Sequence, residues 1–178
     1  ILQPRMLSGH LQGRVLSMLS HMIQPTNILE IGTYTGYSAI CLAEGLKEEG
    51  KVVTIDRNAE LEDFALSYFE KANVSNKIDF RIGNAIDIIP SLKETFDLVF
   101  IDADKTNYSN YFDLVIDKLP KGAYIITDNV LWSGKVVQKV EEHDMETKAI
   151  VEYNEKIHND PRVENILFPI RDGLMIAR

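Results

Sequence analysis

Two short polar clusters, DADK at 102–105 and DN at 128–129, hold residue types that can bind a hard cation and move a proton. Each follows an apolar, β-rich run, LVFI or YIIT, and so stands where a buried strand would end. Asp102, Asp128 and Asn129 would then bring three oxygen ligands to one sheet edge. That set, with two formal charges, suits Mg²⁺, Ca²⁺ or Mn²⁺ better than Zn²⁺, which favours His or Cys. An ion held this way is a Lewis acid that acidifies a bound hydroxyl and leaves positions open for substrate oxygens. Lys105 follows closely in sequence. Beside a cation its ammonium form is disfavoured, which makes it the candidate general base.

A second cluster suits a nucleoside. In EIGTYTGYS (30–38), Gly32 and Gly36 permit a tight turn and close approach of a ligand to backbone N–H groups at a helix start. Asp56 ends the run KVVTID, 24 residues beyond Gly32, where a carboxylate can accept ribose hydroxyls. Gly83, Asn84 and Ala85 follow a third such run and are placed to line an adenine edge. A dinucleotide fingerprint needs glycine where Tyr34 stands, which argues against a pyrophosphate cofactor. A cofactor with a ribose, an amino-acid tail and a sulfonium charge fits a G-x-x-x-G turn preceded by Glu30. S-adenosylmethionine is such a cofactor, and methyl transfer from it is a displacement at carbon in which alignment supplies much of the acceleration. A nicotinamide-dependent oxidoreductase and a non-catalytic cofactor-binding module are the competing readings.

The elements that must position these residues follow from periodicity. Runs at 27–31, 51–56, 78–83, 97–102 and 122–129 read as strands. The segments 38–49, 59–74, 85–92 and 107–119 between them carry apolar residues at helical spacing. The alternation predicts an α/β fold with a mostly parallel sheet covered by helices on both faces. Two last runs, 163–170 and 173–178, are separated by Arg171 and Asp172, which predicts a C-terminal antiparallel hairpin. Ahead of the first strand, 9–23 reads as one amphipathic helix closed by Pro25 and Thr26. The irregular stretch 131–144 is placed to fold over a site.

The 178 residues predict one domain, 1–178, with 45% apolar and 26% charged residues, ordinary for a globular chain. A net charge of −8 without a basic patch argues against nucleic acid as partner or methyl acceptor. The single cysteine, Cys41, excludes a disulfide within the chain. No apolar run approaches the ~20 residues of a membrane span, and no signal-peptide layout is present, so a cytoplasmic protein is expected. Trp132 and Tyr108 are candidates for stacking on a substrate, with packing as the competing role. His10, His21, His143 and His158 show no ligand spacing.

The stretches MLSGHLQGR (6–14), LEIGTYTGYS (29–38), VVTID (52–56), GNAIDIIP (83–90), FDLVFIDADKTNY (96–108) and DNVLWSGKV (128–136) resemble the metal-dependent O-methyltransferases that include the catechol and caffeoyl-coenzyme A enzymes. The resemblance spans nearly the whole chain. It implies a Rossmann-like methyltransferase fold with a seven-stranded sheet and S-adenosylmethionine bound by Glu30, Gly32, Tyr34, Ser38, Asp56 and Ala85. Met6 and Ser8 would close over the methionine end, and Asp102 would serve both cofactor and metal. It implies the metal set Asp102, Asp128 and Asn129, Lys105 as base, a small phenolic acceptor and a homodimer. It also implies further helical residues ahead of Ile1. The residue before the lysine is Asp104, as in the caffeoyl-coenzyme A branch, where the catechol branch has Trp. The chain departs from the catechol pattern near the final DGL turn: Ile166, with Glu164 two residues earlier, stands where a Glu would hold the second substrate hydroxyl.

Overall fold

Side chains on successive strand residues point to opposite faces of a sheet, and this chain uses that alternation to bury both. In the computed structural model, which describes residues 6–178, strands β1 (Asn27–Ile31), β2 (Lys51–Asp56), β3 (Ile78–Ile82), β4 (Leu98–Ile101) and β5 (Tyr124–Thr127) run parallel. Residues 1–5, the start of the expected domain, lie outside the described residues. Leu29, Ile31, Val53, Ile55, Val99, Ile101 and Ile125 form a core on one face. Ile28, Val52, Leu98, Phe100 and Ile126 form another on the opposite face.

The sheet order is β3-β2-β1-β4-β5-β7-β6, with β7 (Leu174–Ala177) antiparallel to β5 and β6 (Asn165–Phe168) antiparallel to β7. The predicted hairpin and seven-stranded sheet are both present. Strand order reverses between β1 and β4, so the turns after these two strands border the crevice in which such sheets bind ligands.

Helix α1 (Gly9–Ile23) has the predicted bounds and, with α2 (Tyr37–Ala43), covers the second face through Leu16 and Leu42. Helix α3 (Glu62–Lys71) packs Ala65 and Phe69 near β3. The first face is covered by α4 (Ala85–Ile88), α5 (Tyr108–Ile116) and α6 (Met145–Asn159). Several helices are shorter than periodicity suggests. After Ala43 the α-helix gives way to short-range bonds, Gly45 N–H to Leu42 O and Leu46 N–H to Ala43 O. There a Cβ on Gly45 would lie 2.2 Å from the Ser20 backbone carbon of α1. One 3₁₀ turn, Ala59–Leu61, precedes α3, and another, Ile89–Ser91, carries Pro90, which has no N–H to continue the ladder of α4.

Helix α6 is absent from the sequence reading. Its Asp144 N-cap accepts from Thr147 N, and Ile150, Tyr153 and Ile157 make its buried stripe. The stripe is narrow among charged residues, so the period is diluted. Among the described residues no helix is long and apolar enough to cross a membrane.

Candidate functional site

The turn after β1 brings the first predicted cluster to the crevice. Gly32 has φ 101°, and a Cβ there would sit 2.0 Å from the carbonyl oxygen of Asp102, so only glycine lets β1 and β4 end side by side. Tyr34 also has a left-handed φ of 47°, and its N–H donates to Asp56 Oδ2 at 2.7 Å, while Asn58 N donates to Oδ1 at 2.9 Å. Asp56 thereby closes the turn, and each carboxylate oxygen retains a lone pair for a ligand hydroxyl.

Beside this turn lies a continuous cavity of about 1390 Å³. Single-ligand pockets run to roughly 1,000 Å³, so two molecules can lie side by side. Met6, Ser8, Gly32, Tyr34, Ser38, Asp56, Gly83, Ala85, Asp102, Lys105, Asp128 and Asn129 all line it. Glu30 and Gly36 do not. Glu30 is fully buried on the α1 side of the sheet, taking a hydrogen bond from Thr54 Oγ1 at 2.5 Å, and Gly36 starts α2 with its Cα against Phe69. Leu61 and Phe64, which the sequence reading did not single out, add apolar surface to the wall; their signal was only an amphipathic helix start.

At the ends of β4 and β5, Asp102, Lys105, Asp128 and Asn129 come together. Lys105 Nζ, on a residue 8% exposed, donates to Asp102 Oδ1 at 3.2 Å, Asn129 Oδ1 at 2.8 Å and Tyr108 Oη at 2.5 Å. One cation is therefore shared by oxygens from two neighbouring strand ends. The Tyr108 hydroxyl in turn donates a hydrogen bond to the Asp128 carbonyl at 3.0 Å. It is fully buried, with its ring edge-on to Tyr153 at 5.5 Å, so it packs and does not stack on a ligand. Trp132, by contrast, lines the cavity.

Burial, and then the charge of Asp102, push the Asp128 carboxyl up to about 6, against the pull of hydrogen bonds from Gln12 and the Asn129 backbone. The donor set passes the chemical test for a divalent ion: two carboxylates that raise each other's energy, plus a neutral amide oxygen, all hard donors. No group of three or more His, Cys, Asp and Glu residues at metal-binding spacing occurs among the described residues, so an ion here would depend on the Asn oxygen and added ligands.

The loop after β5 holds an unusual backbone. Asn129, Trp132 and Ser133 have φ of 62°, 47° and 54°, a conformation costing side-chain-bearing residues energy unless surroundings enforce it. Asp172 enforces it: Oδ1 accepts from Ser133 N at 2.6 Å, its carbonyl takes Leu131 N at 2.9 Å, and Asn129 Nδ2 reaches Oδ2 at 3.5 Å. Of the stretch 131–144, expected to be irregular, Trp132–Val137 forms a 3₁₀ turn, and Trp132, Ser133 and Lys135 stand in the cavity wall. From sequence, Arg171 and Asp172 had only a place in the hairpin turn and Gln12 only a place on a helix, since their partners lie far away in the chain. Ile166 lies 62% exposed on the edge strand β6, and neither it nor Glu164 lines the cavity.

The family model described as O-methyltransferase matches residues 2–178. The caffeoyl-CoA O-methyltransferase of Petroselinum crispum is 38% identical over 178 residues, covering 94% of this chain and 74% of that protein. Caffeoyl-CoA O-methyltransferase 5 of Nicotiana tabacum is 36% identical, over 94% of this chain and 74% of its own. Among solved structures, the O-methyltransferase from Bacillus cereus in complex with SAH superposes with a TM-score of 0.92 at 34% identity, over 99% of this chain and 84% of that one. TomG from Streptomyces achromogenes, in complex with SAM, gives 0.89 at 30% identity, over 98% and 82%.

Proposed function

This chain belongs to the O-methyltransferase family, and from that premise we propose that it methylates a hydroxyl of a small catechol-like phenol held on a divalent cation, with Lys105 as base. The observation that carries this reading is the sharing of one ammonium by Asp102 Oδ1 and Asn129 Oδ1 beside the Asp128 carboxylate. Oxygens that share a monovalent cation are hard donors of the kind a divalent one takes, which supports the reading. When bound, S-adenosylmethionine supplies a methyl group on a sulfonium, and the cation supplies Lewis acidity for the acceptor hydroxyl.

The chain's own residues do the rest. Gly32, Tyr34, Ser38, Asp56, Gly83 and Ala85 would line the cofactor's berth, with Met6 and Ser8 over its methionine end. Asp102, Asp128 and Asn129 would hold Mg²⁺, Mn²⁺ or Ca²⁺. An ion held by Asp102 and Asn129 would take two of the acceptors of Lys105 and would set positive charge beside its nitrogen, which would favour the neutral amine. That amine takes the hydroxyl proton, while Tyr108, its proton committed to the Asp128 carbonyl, orients the nitrogen. Trp132 offers a ring face for the acceptor. Support for a phenolic acceptor comes from the relatives named for caffeoyl-CoA. A homodimer is supported by the exposed stripe Leu11, Met18 and Met22 on one face of α1, and the mass of the particle in solution reads it.

The test is a methyl-transfer screen over vicinal diphenols and their monomethyl ethers, with chelator or with Mg²⁺, Mn²⁺ or Ca²⁺ restored. Diphenols turn over only with an ion present. Lys105→Ala and Lys105→Arg both lose about 10² to 10⁴ in the chemical step, because a guanidinium keeps the charge but cannot accept the proton. Full turnover in chelator, or near-normal rates in Lys105→Arg, contradicts the reading.

A further inference from the structure

Gln12 is a fully buried amide on α1 whose Nε2 donates to Asp128 Oδ2 at 2.7 Å, across 116 positions of sequence. Asp128 Oδ1 takes the Asn129 N–H at 2.7 Å, so each carboxylate oxygen has one fixed donor and the plane of the group is set. The other end of the Gln12 amide, Oε1, accepts from Arg171 Nη1 at 3.2 Å. A guanidinium only donates and a carboxylate only accepts. The amide has one orientation that satisfies both; turned over, it would set donor against donor and acceptor against acceptor.

Arg171 has a wider reach. Its Nη1 also donates to the carbonyls of Leu7, at 3.1 Å, and Ser8. Met6, Leu7 and Ser8 line the cavity, as do Arg171 and Asp172. The same two-residue stretch thus holds the leading segment on one side and, through Asp172, the Asn129 loop on the other. Leucine would fill the Gln12 position without the cost of burying an amide. A lysine there would neutralise Asp128. The neutral amide orients the carboxylate and leaves its charge for a cation.

We propose that Gln12 and Arg171 are positioning residues that couple docking of the leading segment over a cavity ligand to the orientation of Asp128, so that cofactor and cation strengthen each other's binding. The proposal rests on the metal reading above. Coupling of this kind is reciprocal, so it is measurable with no turnover, using Mn²⁺ and S-adenosylhomocysteine.

Mn²⁺ titrations of the whole chain by electron paramagnetic resonance, with and without S-adenosylhomocysteine, test it. The unaltered chain should bind Mn²⁺ more tightly when the nucleoside is present. Gln12→Leu should weaken Mn²⁺ by about 10- to 100-fold, the usual effect of losing a hydrogen-bond partner of a metal ligand. Arg171 is exposed, so Arg171→Ala spares the core and should erase the gain conferred by S-adenosylhomocysteine, even if Gln12→Leu fails to fold. Variants whose two isotherms match those of the unaltered chain overturn the proposal while leaving the metal reading intact. An unaltered chain that binds no Mn²⁺ overturns both.

Discussion

Glu30 is the acid whose proton the fold controls most firmly. It lies beneath the turn after β1, where Thr54 Oγ1 donates to its Oε2 and in turn meets Thr33 Oγ1, each at 2.5 Å. Burial raises its carboxyl to about 8, against hydrogen bonds from Ser38 and Thr54, while the charges of Asp102 and Asp56 add to the rise. The unfolded chain releases this proton near 4.5 and the folded chain keeps it to about 8. Within that window the folded state binds more protons, so stability is full below it and falls as pH rises through it, by at most about 1.4 kcal/mol per unit. Glu30→Gln stays neutral throughout. Urea unfolding at about pH 5 and about pH 8.5 should show the unaltered chain losing clearly more stability than the variant; parallel losses contradict a buried neutral acid. At this scale Asp102, Lys105, Asp128 and Asn129 were legible because each follows a recognisable strand. Gln12 and Asp172 were not, because a glutamine on an amphipathic helix and an aspartate in a hairpin turn have no spacing that announces partners 116 and 43 positions away.

Among the elements, the turn joining β1 to α2 sets the distance between the two halves of the site. Gly32→Ala would drive a methyl group to within 2.0 Å of the Asp102 carbonyl, on top of a backbone strain of about 1 to 3 kcal/mol. It should lower stability and abolish S-adenosylhomocysteine binding by calorimetry. Gly134→Ala is the control: φ is 77° but nothing lies within 4 Å, so it carries strain without the clash and should still bind. A Gly32→Ala chain that binds as well as the control contradicts the role given to this turn. The readings 122–129 and 163–170 each run two residues beyond β5 and β6 at both ends. The strands at 27–31, 51–56, 78–83, 97–102 and 173–178 were readable to within a residue at each end, since apolar runs ended by Gly, Asp or Asn leave little freedom. Helix ends were less so. The periodicity of 38–49 continues past Ala43, yet Gly45 meets the backbone of α1 there, a tertiary contact invisible in local pattern. The three left-handed residues Asn129, Trp132 and Ser133 had no sequence signal beyond the neighbouring glycine.

Over the whole molecule, one feature of topology organises the rest: strand order reverses between β1 and β4, so the nucleoside turn and the acidic strand ends open on one cavity. The βαβ alternation and the C-terminal hairpin made that arrangement foreseeable. The nicotinamide and non-catalytic readings fall with membership of the O-methyltransferase family. What remains central is the proposal that strand ends β4 and β5 hold one divalent cation between them. Anomalous scattering from crystals grown with Mn²⁺ and S-adenosylhomocysteine tests this most directly. A single peak is expected in the cavity at coordination distance, about 2.0 to 2.6 Å, from side-chain oxygens of Asp102, Asp128 and Asn129. A cavity with no peak there, or an ion bound without those three oxygens, would contradict it.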